Sequence, residues 1–355
     1  MDSLDNRDIV SRLDASDMLK LISGLPGQCQ EAGGIGKKAI LSKPDRKIDN
    51  IVFAGLGGSA IGADVVRVYL QDELKVPAIV SRNYTLPDFA GKNTLLFCAS
   101  YSGNTEETLS SFKDGLKRGA FIITIGSGGK LKELALENNF NHIDMPKGFP
   151  PRTALGFMSI TVLVILARLG FIRSKDKEIE DTCSCLAELR DKEIGMEVPF
   201  EKNISKKLAS ALFGKYAVIY GTGDSTEAAS VRWRGQIAEN AKALASSHVL
   251  PEMNHNEIVG WAFPKDVLKD IKVIFLCDKN DHPRTRLRIK ISVDVIKKSG
   301  AEIFEIERKS GGLLARIFSL IYIGDFVSFY LAILNDIDPT PVKSVDYLKA
   351  QLAKI

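Results

Sequence analysis

Cysteine is scarce and scattered in this 355-residue sequence: Cys29, Cys98, Cys183, Cys185 and Cys277, an odd number. Only Cys183 and Cys185 lie close, and a C-x-C pair lacks the spacing of a zinc knuckle. A disulfide framework is therefore excluded, and free thiols in a cytoplasmic protein are expected. Histidine is rarer still. The four residues form no H-x-H or H-x-x-x-H pair, so no metal is expected. Charge of one sign is not in excess either. A net charge of +4 leaves no nucleic-acid footprint, although it suits a small anionic ligand. Long apolar runs are missing: Ile160 to Ala167 stops at Arg168, and Ile317 to Leu334 is broken by Asp325. Neither reaches the ~20 uninterrupted residues of a membrane span, so no membrane partner is expected. The first residues, with Asp2, Asp5, Arg7 and Asp8, lack the basic-then-apolar layout of a signal peptide. What is present is ordinary folded composition, 45% apolar and 26% charged. The length suits two domains of roughly 150–180 residues.

Residues 1–45 read as a helical lead-in, with an amphipathic helix over Asp14 to Ile22 that stops at Gly24 and Pro26. Strand and helix then alternate. Ile51 to Ala54, Ala78 to Val80, Thr94 to Ala99 and Phe121 to Ile125 are expected strands. Ala60 to Leu70, Thr105 to Arg118 and Lys130 to Glu137 are expected helices. The alternation predicts a parallel sheet covered on both faces. The second half repeats it. Tyr216 to Tyr220 runs into Gly221-Thr-Gly-Asp-Ser225, matching Ile51 to Ser59 at an offset of 166. Val273 to Cys277 answers Leu95 to Cys98, and Lys298 to Ala301 answers Lys117 to Ala120. The pattern predicts an α/β chain of two similar doubly wound domains, each a parallel sheet flanked by helices. The expected division is 1–175, with the helical lead-in, and 176–355, with a charged helical linker. Gly311 to Leu334 reads as an apolar helix closing the second domain. Asp338-Pro-Thr-Pro341 then precedes a short helix from Val342 to Ala353.

The chemistry concentrates in a few segments. Ser100-Tyr-Ser-Gly-Asn-Thr105 follows a buried strand and opens a helix. Three hydroxyls, on Ser100, Ser102 and Thr105, surround Gly103, where a helix start already attracts anions. This is a phosphate cradle without the lysine of a nucleotide-binding loop. The equivalent turn in the second half carries Asp278 and Asp281, which repel phosphate, so one phosphate site per chain is expected. Gly55-Leu-Gly-Gly-Ser-Ala60 fits G-x-G-x-x-A. The second strand, however, runs into Ser81-Arg-Asn83 rather than an acidic residue, against a dinucleotide cofactor. Gly58 and Ser59 are instead candidates for lining a sugar. In the second half, Arg234-Gly-Gln-Ile-Ala-Glu-Asn240 lies on a helix, and Leu250-Pro-Glu-Met-Asn-His-Asn-Glu257 forms a polar turn. His255 in that turn is flanked by Asn254, Asn256 and Glu257, which can orient an imidazole.

The S-x-S-G-N-T loop, the doubled glycine turns, the E-N pair, Phe149-Pro-Pro-Arg-Thr153 and P-E-x-N-H-N-E together resemble sugar-isomerase (SIS) domain proteins. Among them the match is to the bifunctional phosphoglucose/phosphomannose isomerases, over roughly Asn50 to the end. The resemblance implies glucose 6-phosphate or mannose 6-phosphate isomerisation to fructose 6-phosphate, without metal or cofactor. Ser100, Ser102 and Thr105 would hold the 6-phosphate, with Gly58 and Ser59 along the sugar. Glu239 would move the proton between C-2 and C-1, and Arg152 would stabilise the enediolate. His255, reaching in from the other subunit of a homodimer, would open the ring. A C-terminal lysine, Lys349 in preference to Lys343, would assist. Rival expectations on the same domains are an aminosugar-phosphate isomerase and a sugar-phosphate sensor. The sensor needs no acid/base set, and no DNA-binding domain accompanies it here.

Overall fold

The computed structural model describes residues 4–352 and 354. The lead-in forms three helices, α1 (Arg7–Leu13), α2 (Met18–Ser23) and α3 (Leu25–Lys38). The helix expected over Asp14 to Ile22 is shorter than the pattern suggested. Asp14 instead accepts hydrogen bonds from the backbone N–H groups of Met18 (2.7 Å) and Leu19 (2.8 Å) and fastens the start of α2. Pro26 occupies the first turn of α3, where its missing N–H costs nothing, rather than ending a helix.

A five-stranded sheet follows, built from β1 (Asn50–Ala54), α4 (Gly57–Tyr69), β2 (Ala78–Ser81), β3 (Thr94–Ala99), α5 (Glu106–Lys117), β4 (Phe121–Gly126), α6 (Gly129–Glu137) and β5 (Asn141–Asp144). All pairs are parallel and the order is β2-β1-β3-β4-β5. After a 3₁₀ turn at Pro151–Thr153 come α7 (Leu155–Arg168), α8 (Asp176–Leu189) and α9 (Ile204–Leu212). The second sheet comprises β6 (Tyr216–Thr222), α10 (Glu227–Ala241), β7 (Ala245–Leu250), the single turn α11 (Lys265–Leu268), β8 (Ile271–Asp278), α12 (Pro283–Lys297) and β9 (Glu302–Arg308). Its order, β7-β6-β8-β9, repeats the first, again all parallel. The chain closes with α13 (Leu313–Leu334) and α14 (Lys343–Leu352). The expected two-sheet α/β architecture is therefore present. The sequence reading missed β5 and β7, both outer strands whose residues (NHID and ASSHVL) carry few apolar side chains.

One apolar cluster runs between the sheets through α3, α4, α7, α8, α10 and α13. Helix α13 is long and apolar enough to cross a membrane, with a mean hydropathy of 2.0, yet 94% of that stretch is buried inside the protein. It packs on α10, where Gly324 leaves room only for the Trp233 ring. Trp233 Nε1 donates to the Leu320 carbonyl at 2.8 Å. Asp325, the residue that interrupts the apolar run, receives a two-pronged bond from Arg232 at 2.9 and 2.8 Å. A buried charge is tolerable only with such a partner.

In each sheet the strand order reverses beside the first strand, between β1 and β3 and between β6 and β8. Such reversals open a crevice at the carboxyl ends of the strands, where ligands bind. The second crevice is filled from within. Asp281 is buried there, and its carboxylate accepts from Thr222 Oγ1 (2.8 Å), Ser225 Oγ (2.6 Å) and the Asp278 N–H (2.9 Å). Asp278 in turn receives Arg316. An internal carboxylate thus takes the donors that an anion would use.

Candidate active site

The first crevice is open. Ser100 directly follows β3 and is buried; its Oγ lies 2.8 Å from Thr105 Oγ1 and accepts from the Gly103 N–H at 3.1 Å. Ser102 is exposed on the same turn. Gly103 has φ +72, and a Cβ there would strike the Gly128 backbone, so only glycine fits. No side chain caps α5. Its first-turn N–H groups are left for an anion, as at other helix starts. Ser59, in the first turn of α4 after the neighbouring glycine turn, accepts from the Tyr101 N–H at 3.2 Å. Tyr101 reaches the other way: its hydroxyl donates to Pro146 O at 2.5 Å and accepts from the Phe149 N–H at 3.1 Å. The hydroxyl-rich loop, the glycine turn and the Phe149-Pro-Pro-Arg152 segment are therefore one connected wall.

Arg152 stands at the end of that wall and is only 4% exposed. Its Nε donates to Asn240 Oδ1 at 2.8 Å, and one terminal nitrogen donates to Pro339 O (2.9 Å) and Thr340 O (2.7 Å). The remaining nitrogen faces Glu239 Oε2 at 3.5 Å. Burial pulls the guanidinium below its ordinary value, with Glu239 opposing. Arg232 holds the Arg152 carbonyl at 2.9 Å while paired to Asp325. Glu239 sits in the last turn of α10, its side chain 40% exposed and facing a cleft of about 190 Å³. That cleft is lined by Gly58, Arg152 and Glu239, which the sequence had singled out from three distant segments. It also contains Arg234 and Gln236, from the segment Arg234 to Asn240 that drew attention in the sequence, and Arg82 and Arg232, which are not candidates there. Arg232, Arg234 and Gln236 share α10 with Glu239, and the helical repeat from Glu239 back through Gln236 and Arg232 was a usable signal. Arg82 carried no such pattern; it is paired with Asp64 of α4.

Ser59, Ser100, Ser102 and Thr105 stand on the connected wall but do not line this cleft, and His255 and both candidate lysines lie elsewhere. His255 is exposed, on the 3₁₀ turn Glu252–His255 after β7, and does not line the cleft of its own chain. Its neighbours do not bond the imidazole as expected; they fasten the turn. Asn254 Nδ2 donates to Ser292 Oγ on α12 (2.7 Å), Tyr220 donates to Glu257 Oε1 (2.5 Å), and Trp261 Nε1 donates to Tyr220 (3.0 Å). Lys343 and Lys349 lie on α14, an exposed helix in which no described residue is buried.

Residues 201–352, which include Glu239 and His255, match the family model described as the bacterial phospho-glucose isomerase C-terminal SIS domain. A bifunctional phosphoglucose/phosphomannose isomerase of Caldicellulosiruptor bescii is 45% identical, over 95% of this chain and 99% of that protein. One from Aquifex aeolicus is 37% identical, over 86% of this chain and 90% of that protein. The chain belongs to the bifunctional phosphoglucose/phosphomannose isomerase family. Among solved structures, a hypothetical protein from Thermus thermophilus superposes with a TM-score of 0.75 at 13% identity, covering 99% of this chain and 94% of that one. At that identity the likeness speaks for the fold alone. Of the segments that resembled the family in the sequence, those carrying Gly58, Arg152 and Glu239 meet at one cleft, whereas the turn with His255 and the second glycine turn lie apart from it.

Proposed function

We propose that this chain is an aldose–ketose isomerase that interconverts glucose 6-phosphate, or mannose 6-phosphate, with fructose 6-phosphate. The observation that carries the proposal is Glu239 facing Arg152 across 3.5 Å in a cleft walled by Gly58. A carboxylate beside a fixed guanidinium suits a proton shift between adjacent carbons. Glu239 takes the C-2 proton of the open-chain aldose and returns it to C-1, while the O-2 hydroxyl proton passes to O-1. The carbonyl oxygen becomes an enediolate oxygen, and its charge appears only as the proton leaves. Arg152, held by three other acceptors, therefore favours the transition state over the substrate. Ser100, Ser102 and Thr105 take the 6-phosphate at the start of α5, with Gly58 and Ser59 along the sugar. That contact supplies binding energy remote from the reacting carbons.

Ring opening needs a donor to the ring oxygen and a base for the C-1 hydroxyl. His255 and Lys349, with Lys343 as the alternative lysine, suit these tasks. The family resemblance supplies His255 from the partner subunit of a two-fold homodimer, a reading with which its place outside its own chain's cleft agrees. The division into domains at 175/176 and a cytoplasmic location belong to the same proposal. Acceptance of both C-2 epimers follows from membership of the family.

The test is isomerisation of fructose 6-phosphate in buffer with EDTA, assaying glucose 6-phosphate and mannose 6-phosphate separately. Both products are expected, with a loss of about 10²–10⁴-fold in Glu239→Gln. Formation of neither, with fructose 6-phosphate still bound, overturns the proposal.

A further inference from the structure

Lys242 stands directly after the helix that carries Glu239 and closes it in an unusual way. It has φ +52, the left-handed conformation that usually falls to glycine at this place. The reason a lysine is there lies in its ammonium group. Nζ donates to Glu239 O (2.7 Å), Asn240 O (3.3 Å), Asp338 O (3.2 Å) and Pro339 O (2.8 Å). The first two are carbonyls at the end of α10, which lack partners inside the helix. The second two belong to the turn that leads from α13 to α14. Pro339 O is also an acceptor of Arg152, so Lys242 and Arg152 grip the same turn from two sides. The remaining Arg152 nitrogen faces Glu239.

We propose that Lys242 is a positioning residue for the isomerisation: it ties the Asp338–Thr340 turn to the end of α10, and so holds Arg152 against Glu239 and fixes the root of α14. This rests on the function proposed above. The charged groups around it are Glu239 on its own helix, Arg152 on the 3₁₀ turn and Asp338 on the bound turn. Burial, and then Arg152, pull the Lys242 ammonium down to about 8, while Asp338 and Glu239 oppose. The tether therefore loses its charge just above neutrality, whereas an arginine would keep it.

The test uses the full chain with Lys242→Gly, Lys242→Met and Lys242→Arg. Glycine suits the left-handed backbone, so Lys242→Gly keeps the helix end and isolates the ammonium. The expected result is a fall in kcat of about ten- to a hundredfold in the glycine and methionine variants, the size of effect that small misplacements produce, with KM changed less than about threefold. Wild-type kcat declines above a midpoint near pH 8. Lys242→Arg restores most of kcat and moves that decline to higher pH. Hydrogen exchange at residues 338–346 quickens in Lys242→Gly in the absence of substrate. A glycine variant within twofold of wild type in kcat, with the same pH profile, overturns the proposal. Unchanged exchange at 338–346 overturns the tether independently of any activity. Absence of isomerase activity in the wild type would instead count against the proposed function, leaving exchange to judge the tether.

Discussion

Replacing Gly58 by alanine adds one methyl group where α4 meets the turn that carries Arg152. The new Cβ would lie 2.9 Å from the carbonyl carbon of Pro151, nearer still to its oxygen, and 3.3 Å from Cα of Arg152. Real Cβ atoms essentially never approach within 3.0 Å, and every clashing atom is backbone. No rotamer change relieves the contact, so the turn and helix must part by roughly half an ångström or more, at about 1–3 kcal/mol. The displaced residue is Arg152 itself, whose free nitrogen faces Glu239 at 3.5 Å. Misplacement on an ångström scale costs about a hundredfold in rate. Gly58→Ala should therefore remain folded, with a lower midpoint in urea, while kcat for fructose 6-phosphate falls at least tenfold. Inorganic phosphate should still protect it against heat, because the cradle at Ser100 to Thr105 is not touched. A variant with kcat within threefold of wild type would refute the argument that this close approach aims Arg152.

Asp325→Asn and Arg232→Met break a pair in which both side chains are nearly fully buried; each should cost about 3–5 kcal/mol in urea unfolding, and a loss below about 1 kcal/mol would contradict the burial argument. Arg232→Met should also lower kcat, because Arg232 holds the Arg152 carbonyl. Gly34→Ala lies inside α3 with open space around its Cβ, and should stabilise the protein by about 0.5–1 kcal/mol with activity unchanged. Mixing Glu239→Ala and His255→Ala chains in equal amounts makes half of the dimers mixed. Each mixed dimer regains one intact site if His255 acts across the interface, so about a quarter of wild-type activity should return. No recovery after verified exchange of subunits would show that the site is not shared.

The parallel sheets were legible because their inner strands are continuous apolar runs ended by glycine turns, as in Ile51 to Ala54 and Thr94 to Ala99. The edge strands β5 and β7 were not, since one side of each is solvated and their composition is that of a loop. At the site, the hydroxyl loop, Arg152 and Glu239 could be read from local chemistry and family resemblance. What could not be read was the long-range bonding. Arg152 is oriented by Asn240, Pro339 and Thr340, residues about 90 to 190 positions away. Glu257, Asn254 and Asn256 looked like partners of His255 because they adjoin it, yet the fold turns two of them toward Tyr220 and Ser292. Adjacency in sequence says little about side-chain direction on an irregular turn.

The duplicated sheet also explains how one chain builds an asymmetric site. Both halves create a crevice at the strand reversal, and each is followed by a helix start suited to an anion. In the first half the donors at Ser100 to Thr105 remain available. In the second, the counterpart turn after β8 carries Asp281, which takes the Thr222 and Ser225 hydroxyls of the neighbouring glycine turn; its carboxyl is pushed above the usual range by burial while those hydroxyls and a backbone N–H oppose. With its own crevice closed, the second half acts on the first through α10, which runs beside α4 and delivers Glu239 at its far end. The helix must be held in place for that to work. Trp233 against Gly324, Arg232 on Asp325, Asn240 on Ser328 and Lys242 on the 338–339 turn do so from its middle to its end. Glu239 is therefore placed by the α10–α13 interface rather than by the sheet to which α10 belongs. Substitutions on α13, remote from any sugar, should then alter kcat more than phosphate affinity.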